Sequence, residues 1–174
     1  ASITALGLVA HRAGRPSQAS AHYGEALEVG ERSRDGARVL TALQNLGVVQ
    51  QESGQYIQAL ASYGEAHQLA MTLGQTGRQA QLGGNLGALW CYLGELERAR
   101  GILDKALALS RQEQNRYLEG IALGMLGEVQ LAEENWTEAS QHLGEAISSL
   151  QDSGAVMEVA ETKLAMARLY LERQ

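Results

Sequence analysis

The 174-residue chain has little proline, aromatic or cysteine content, and each shortage narrows what the protein can be. A single proline leaves long helices uninterrupted. Because the aromatic content is only 5%, with no phenylalanine, alanine, leucine and glycine must provide most of the core packing. The single cysteine, Cys91, excludes an internal disulfide bond and a cluster of cysteine metal ligands. This usage fits a reducing compartment, and we predict a cytoplasmic protein.

Positive charge is also scarce, with 14 Lys and Arg against 20 Asp and Glu, a formal net charge of −6 and no basic block. Surfaces that follow nucleic-acid phosphates or bind anionic membranes need concentrated positive charge, so both partners are disfavoured. No apolar run approaches the length of a membrane span, and no signal-peptide pattern is present. We therefore expect no nucleic acid and no membrane as partner.

What the chain does have is internal repetition with a period of forty residues. Four columns of residues keep one register through four copies. A fixed period of this size indicates a stack of similar supersecondary units. The columns are Leu6-Gly7, Leu46-Gly47, Leu86-Gly87 and Leu126-Gly127; Ala19, Ala59, Ala99 and Ala139; Tyr23, Tyr63, Leu103 and Leu143; and Ala26, Ala66, Ala106 and Ala146.

Each repeat predicts two helices joined by a short turn. In the second repeat, Leu43 and Leu46 belong to an apolar stripe of helical spacing over residues 36–53. Gly54 follows, where glycine commonly ends a helix, and a second helical pattern covers residues 56–73. The other repeats read the same way, so the sequence predicts four helix pairs and a further helix near the end.

We predict an all-α solenoid that forms one domain over residues 1–174. Because the chain starts inside a helical pattern without methionine and ends just after a helix, we expect a segment excised from a longer protein. The predicted repeats are approximately 1–34, 35–74, 75–114 and 115–154, followed by a terminal helix over 155–174, with the helical pattern itself at 156–173.

The glycine of the Leu-Gly column lies in the middle of a predicted helix, where it costs about 1 kcal/mol relative to alanine. Its repetition predicts a close helix crossing without room for a side chain. We expect the two alanine columns to face these glycines, and the tyrosine and leucine column to fill the space between adjacent repeats. A second mid-helix glycine column, with Gly24, Gly64 and Gly144, has no clear physical reason in the sequence.

These residues resemble the tetratricopeptide repeat, which pairs Leu-Gly on its first helix with Ala-x3-aromatic on its second. The second repeat here has Leu46-Gly47 followed by Ala59, Tyr63 and Ala66. The terminal proline of the family is absent from every copy, consistent with forty residues instead of about 34. Forty-residue versions are similar to those of kinesin light chains, spindle-polarity adaptors and bacterial regulators. The resemblance implies a right-handed superhelix whose first helices line a concave groove.

The groove positions then follow from helical spacing. Asn45 and Asn85 stand just before Leu-Gly in consecutive repeats, and a carboxamide can pair with a peptide backbone irrespective of sequence. The alternative is that both only face solvent. Arg38 and Arg78 could meet an acidic group of a ligand, although Asp35 could pair with Arg38 instead. The complete predicted set is Asn45, Asn85, Arg38, Arg78, Thr41, Gln81, Tyr92, Met125 and Glu128.

No set of residues predicts catalysis, a metal site or a cofactor. The glycine-rich string 82–87 lacks the preceding strand that a phosphate loop needs and stays in repeat register. The histidines are scattered, and Cys91 has no histidine within reach by helical spacing, so we interpret it as a structural thiol.

We therefore predict a non-catalytic module that binds a protein or an extended peptide, as a sensor or scaffold segment of a larger regulatory protein. The alternative is a structural array that packs within its own chain or self-associates, without a separate ligand. Apolar residues near both ends predict end-to-end self-association through residues 157–170 or 3–8.

Overall fold

The computed structural model describes residues 2–172, and within that range every regular element is an α-helix. The all-α prediction is confirmed. The helices predicted at 36–53 and 56–73 each end one residue earlier, and residue 173 of the predicted last helix lies outside the described range. The helices are α1 (Ile3–Arg12), α2 (Pro16–Arg32), α3 (Gly36–Glu52), α4 (Tyr56–Thr72), α5 (Thr76–Tyr92), α6 (Leu96–Gln112), α7 (Arg116–Ala132), α8 (Trp136–Ser153) and α9 (Val156–Glu172).

The turns between helices use one residue in the left-handed backbone region. Gly54 has φ 74° and Gly94 has φ 78°, and glycine adopts this conformation without the steric cost that a Cβ brings. Three turns place other residues there, namely Arg34, Gln114 and Glu134, with φ of 53°, 54° and 61°. The turn predicted at Gly54 is thus in place.

The chain divides into two compact units, residues 1–75 with α1 to α4 and residues 76–174 with α5 to α9. Within each unit, consecutive helices pack against one another. In the second unit the first helices of adjacent repeats also touch, because α5 contacts α7 and α7 contacts α9.

The Leu-Gly glycines do mark close helix crossings, but the expected neighbours were wrong. A Cβ added at Gly87 would lie 2.4 Å from Cγ of Leu103, and one at Gly47 would lie 2.5 Å from the Tyr63 ring. The tyrosine and leucine column therefore fills these gaps, and the alanines do not. The other two crossings match: Gly7 faces Tyr23, and Gly127 faces Leu143.

The same column also packs between adjacent repeats, as expected. Tyr23 clusters with Leu46 and Val49 of the following repeat. Leu143 clusters with Ala165 and Leu169 of α9. One large side chain per repeat thus joins its own first helix to the next one.

The second glycine column has no steric role. A Cβ on Gly24, Gly64 or Gly144 would meet nothing within 4 Å. These glycines still carry the helix-propensity cost of about 1 kcal/mol each, and we find no structural reason for them.

An ion-pair network centred on the buried Glu119 carboxylate joins three helices of the second unit. The Glu119 carboxylate accepts hydrogen bonds from Nε of Arg111 at 3.0 Å and from Arg116 at 2.8 Å. Arg116 also donates to Asp152 on α8 at 2.8 Å, and Arg111 reaches Glu145 at 3.4 Å. The Glu119 side chain is only 11% exposed, and the two arginines supply the opposite charge that a buried carboxylate needs.

Candidate functional site

The first helices of the second unit form one continuous surface, which we call the α5–α7–α9 face. Two glycines lie where these helices meet. A Cβ on Gly84 would lie 3.7 Å from Ile121 of α7, and one on Gly124 would lie 3.6 Å from the Thr162 hydroxyl of α9. These are ordinary contact distances, so the helices are near neighbours without being forced together.

The predicted site residues divide between the two units. The structure brings six of them to neighbouring helices of the second unit, and it places the other three along one helix of the first. On α5 are Arg78, Gln81, Asn85 and Tyr92; on α7 are Met125 and Glu128; on α3 are Arg38, Thr41 and Asn45.

Three of these side chains are half-buried amides without an intramolecular partner. Asn45, Gln81 and Asn85 make no side-chain hydrogen bond among the described residues. Their donors and acceptors are therefore available to a ligand or to water. Asn45 and Asn85 occupy equivalent places forty residues apart, so each unit offers the same group on a first helix.

Other predicted residues are already engaged. Arg38 lies 3.5 Å from the Asp35 carboxylate, whose other oxygen accepts from the Arg38 backbone N–H at 3.1 Å, so Asp35 caps α3 and holds Arg38. Arg38 thus makes the pair with Asp35 that the sequence offered as an alternative, and its role toward a ligand stays a prediction. The Thr41 hydroxyl donates to the Ala37 carbonyl at 2.9 Å.

On α7 and α5 the remaining predicted residues also have neighbours. Met125 packs against the core around Leu103 and Leu126. Arg78 and Tyr92 interact with other groups of the protein, although Tyr92 is 68% exposed.

The sequence reasoning missed Arg168 of α9, which pairs with Glu128. Together with Cys91, Leu131 and Ala132 they line a shallow cavity of about 290 Å³. The sequence could have predicted this pair, because Glu128 and Arg168 lie forty residues apart and carry opposite charges. Other polar pairs between neighbouring first helices follow nearly the same spacing: His11 with Glu52, and Tyr117 with Glu158.

The charges around this cavity act on Cys91. Burial raises the pKa of its thiol, the nearby Glu128 raises it further, and Arg168 works in the opposite direction. The thiol therefore stays protonated near neutral pH, which disfavours a nucleophilic role. This agrees with a structural cysteine.

Other candidates for chemistry find no supporting geometry. The glycine-rich string 82–87 lies inside α5, so it is not a loop that could wrap a phosphate. His11 contacts Glu52 at 2.7 Å. Among the described residues, no group of three His, Cys, Asp or Glu side chains is placed to hold a metal ion. None of the helices in that part of the chain has the length and apolar content to cross a membrane.

The comparisons with known proteins agree with the repeat architecture. Two family profiles, both described as tetratricopeptide repeat, match residues 1–72 and 82–113. The chain belongs to the tetratricopeptide repeat family. This fold is generally a protein-interaction module, and proteins of the family are generally non-catalytic. No curated protein sequence matches the chain.

Solved structures show the same solenoid fold. BtubC (BKLC) from P. vanneervenii superimposes with a TM-score of 0.77 at 18% identity, over 97% of this chain and 73% of that one. The apo form of RapI gives a TM-score of 0.87 at 14% identity, over 98% and 65%. A kinesin light chain protein of Podosopora anserina with nearly identical TPR-like repeats gives 0.71 at 13% identity, over 99% and 95%. At these identities the likeness concerns the fold alone.

Proposed function

We propose that this chain binds extended peptide segments of a partner protein along its first helices, with Asn85 as a backbone-contacting residue of the second unit and Asn45 as the equivalent residue of the first unit, each considered within its own unit. One observation carries the proposal: these equivalent amides are half-buried and have no partner within the described chain, whereas neighbouring polar groups such as Arg38, Thr41 and Glu128 are paired. A half-buried amide without a partner forgoes hydrogen bonds that a peptide could supply.

The second unit has the larger set of contact groups. Gln81 and Asn85 offer amides, Tyr92 offers an exposed ring, and Met125 adds a half-buried apolar side chain. The Glu128–Arg168 pair lies on the same face. The combination suits a peptide with a bound backbone and one or two apolar side chains, and the protein would act as a sensor or scaffold segment of a larger cytoplasmic regulatory protein.

The test is selection of binders from a random peptide library displayed on phage, followed by affinity measurement with a selected, fluorescently labelled peptide. Asn85→Ala should weaken binding about three- to tenfold, the value of one hydrogen bond. Asn45→Ala should do the same for a selected peptide that binds the first unit. Gln58→Ala, an exposed amide on the second helix α4, is the matched control and should change nothing.

A second readout locates the ligand. Because Cys91 lines the cavity beside Glu128, a peptide bound on the α5–α7–α9 face should slow the labelling of Cys91 by a thiol reagent. The alternative function, a structural array without a ligand, predicts that the library yields no binder that distinguishes Asn85→Ala from the unchanged protein.

A further inference from the structure

A small cavity opens on the α5–α7–α9 face between α7 and α9, and we call it the α7–α9 recess. Gly120 and Gly124 of α7 lie along it, and Leu143 and Leu150 of α8 form its floor, both almost fully buried. Its volume is about 70 Å³. A small-molecule site needs about 300–1,000 Å³, whereas one water occupies about 30 Å³. The recess therefore suits part of one side chain.

The recess has a glutamate at its edge where the preceding layer of helices has an apolar residue. In that layer Ile121 of α7 packs over Gly84 of α5, since a Cβ there would lie 3.7 Å from its Cγ2. The residues forty positions later are Glu161 and Gly124. No atom of Glu161 comes within 4 Å of a Cβ built on Gly124. The apolar floor is thus left uncovered, and a carboxylate borders it.

The negative charge around the recess is only partly compensated. Glu128 pairs with Arg168, and Glu158 accepts a hydrogen bond from the Tyr117 hydroxyl at 3.0 Å. Glu158 also lies in the first turn of α9, where the helix N-terminus favours a negative charge. Glu161 has no hydrogen bond or ion pair among the described residues. It stands three residues after Glu158, a spacing at which like charges on a helix repel each other.

The phenol of Tyr117 responds to this negative charge. Burial raises its pKa, the hydrogen bond to Glu158 raises it further, and the charges of Glu158 and Glu161 act in the same direction. A cation placed near both carboxylates would offset their repulsion. The apolar floor favours a cation with an aliphatic stem, because long basic side chains lay their methylene groups on apolar surface and keep the charged head in water.

We propose that the α7–α9 recess takes a basic side chain, arginine or lysine, of the bound peptide, an inference that rests on the proposed function. The aliphatic stem lies over Gly124, and the cationic head meets Glu161 and Glu158. Arginine fits better than lysine, because its planar guanidinium can donate to two carboxylates at once and is more weakly hydrated. Asn85 then contacts the peptide backbone, and the recess selects one side chain.

Parallel phage selections on three versions of the 174-residue protein test the charge preference. Peptides that bind the unchanged protein should be enriched in arginine or lysine relative to the unselected library. On Glu161→Lys this enrichment should disappear, because the recess then presents a like charge. Glu138→Lys is the matched control, since Glu138 is an exposed glutamate on α8 without an ion pair among the described residues. It changes the net charge equally and should keep the enrichment. Circular dichroism checks that both variants remain helical.

A double-mutant cycle between protein and peptide tests the contact itself. A selected peptide is synthesised with arginine at the enriched position and again with citrulline, which keeps the length and shape of arginine without its charge. Citrulline should weaken binding to the unchanged protein about three- to tenfold. Glu161→Gln should weaken binding of the arginine peptide by a similar factor and leave the citrulline peptide almost unaffected. Glu138→Gln should change neither affinity.

The outcomes separate this inference from the proposed function. Selected peptides without basic enrichment, or independent losses from citrulline and Glu161→Gln, would overturn the inference and leave peptide binding intact. A library that yields no binder would overturn both. Enrichment that survives Glu161→Lys would show that basic residues bind elsewhere on the protein, and the assignment to the recess would be wrong.

Discussion

The third repeat contains two mid-helix glycines with opposite surroundings, and they give opposite predictions for the same substitution. A Cβ on Gly87 would lie 2.4 Å from Cγ and 2.5 Å from Cδ2 of Leu103, which is fully buried. A Cβ on Gly101 would meet nothing within 4 Å. Gly87→Ala and Gly101→Ala therefore gain the same helix propensity and differ only in packing.

The magnitudes can be worked out from these surroundings. Alanine improves on glycine in a helix by about 1 kcal/mol, so Gly101→Ala should raise the free energy of unfolding by about 0.5–1 kcal/mol. At Gly87 the new methyl overlaps a branched carbon, and either Leu103 or the helix must move by about 1 Å. Overpacking of this kind costs about 1–3 kcal/mol, so Gly87→Ala should be net destabilising, and Gly87→Leu more so.

A double-mutant cycle isolates the contact. Leu103→Ala alone should cost about 2–5 kcal/mol through the cavity it leaves. In that background the clash is gone, so Gly87→Ala should become stabilising. The assay is urea unfolding followed by circular dichroism, with midpoints compared at constant slope. If Gly87→Ala stabilised the protein as much as Gly101→Ala does, the Leu-Gly column would not mark a close crossing, and our account of the core would be wrong.

Three further changes test separate features. Glu119→Gln replaces the buried carboxylate that two arginines share and should lower the free energy of unfolding by about 1–3 kcal/mol; an unchanged urea midpoint would show that the network adds nothing. Glu128→Gln removes one cause of the raised Cys91 pKa while the neighbouring arginine stays, so Cys91 should react faster with a thiol reagent at pH 8; an equal rate would contradict the assigned cause. Burial, and then a nearby glutamate, raise the pKa of Tyr63. Above about pH 10 the folded protein therefore keeps the Tyr63 proton that the unfolded chain loses. The contribution of this group to the free energy of unfolding is full below that pH, and above it the free energy of unfolding falls by at most about 1.4 kcal/mol per pH unit. Tyr63→Phe should flatten that fall, and an identical slope would refute the assignment.

Much of the fold can be predicted from the sequence because the same packing contacts recur in each forty-residue repeat. The forty-residue period fixes which residues are equivalent, and the turn glycines fix where helices end, so the helix bounds came within one residue at 36–52 and 56–72. What the period cannot give is the partner of each residue. The assignment of the alanines to the glycine column failed for this reason, since the two alanine columns and the tyrosine and leucine column share the register and only the side-chain geometry separates them.

The candidate site could be predicted only in part. Spacing placed Asn45 and Asn85 on first helices, but whether a polar side chain is paired depends on its rotamer and on the neighbouring helix. Arg38 is held by Asp35, and Glu128 is held by Arg168. The sequence suggested the first of these pairs as an alternative, and the second was visible only as a forty-residue spacing of opposite charges.

Comparison of the four repeats within the chain separates the positions that pack the core from those that do not. Positions that stay the same in every copy, such as Gly87 and Ala99 with their equivalents, are buried in each repeat. The place of Asn85 varies instead, from Ala5 to Asn45 to Met125, and these side chains are exposed or half-buried. A solenoid core needs the same shape in each layer, whereas a bound peptide presents different groups to successive layers. The variable first-helix positions are therefore the ones at which a ligand could be specified without disturbing the fold.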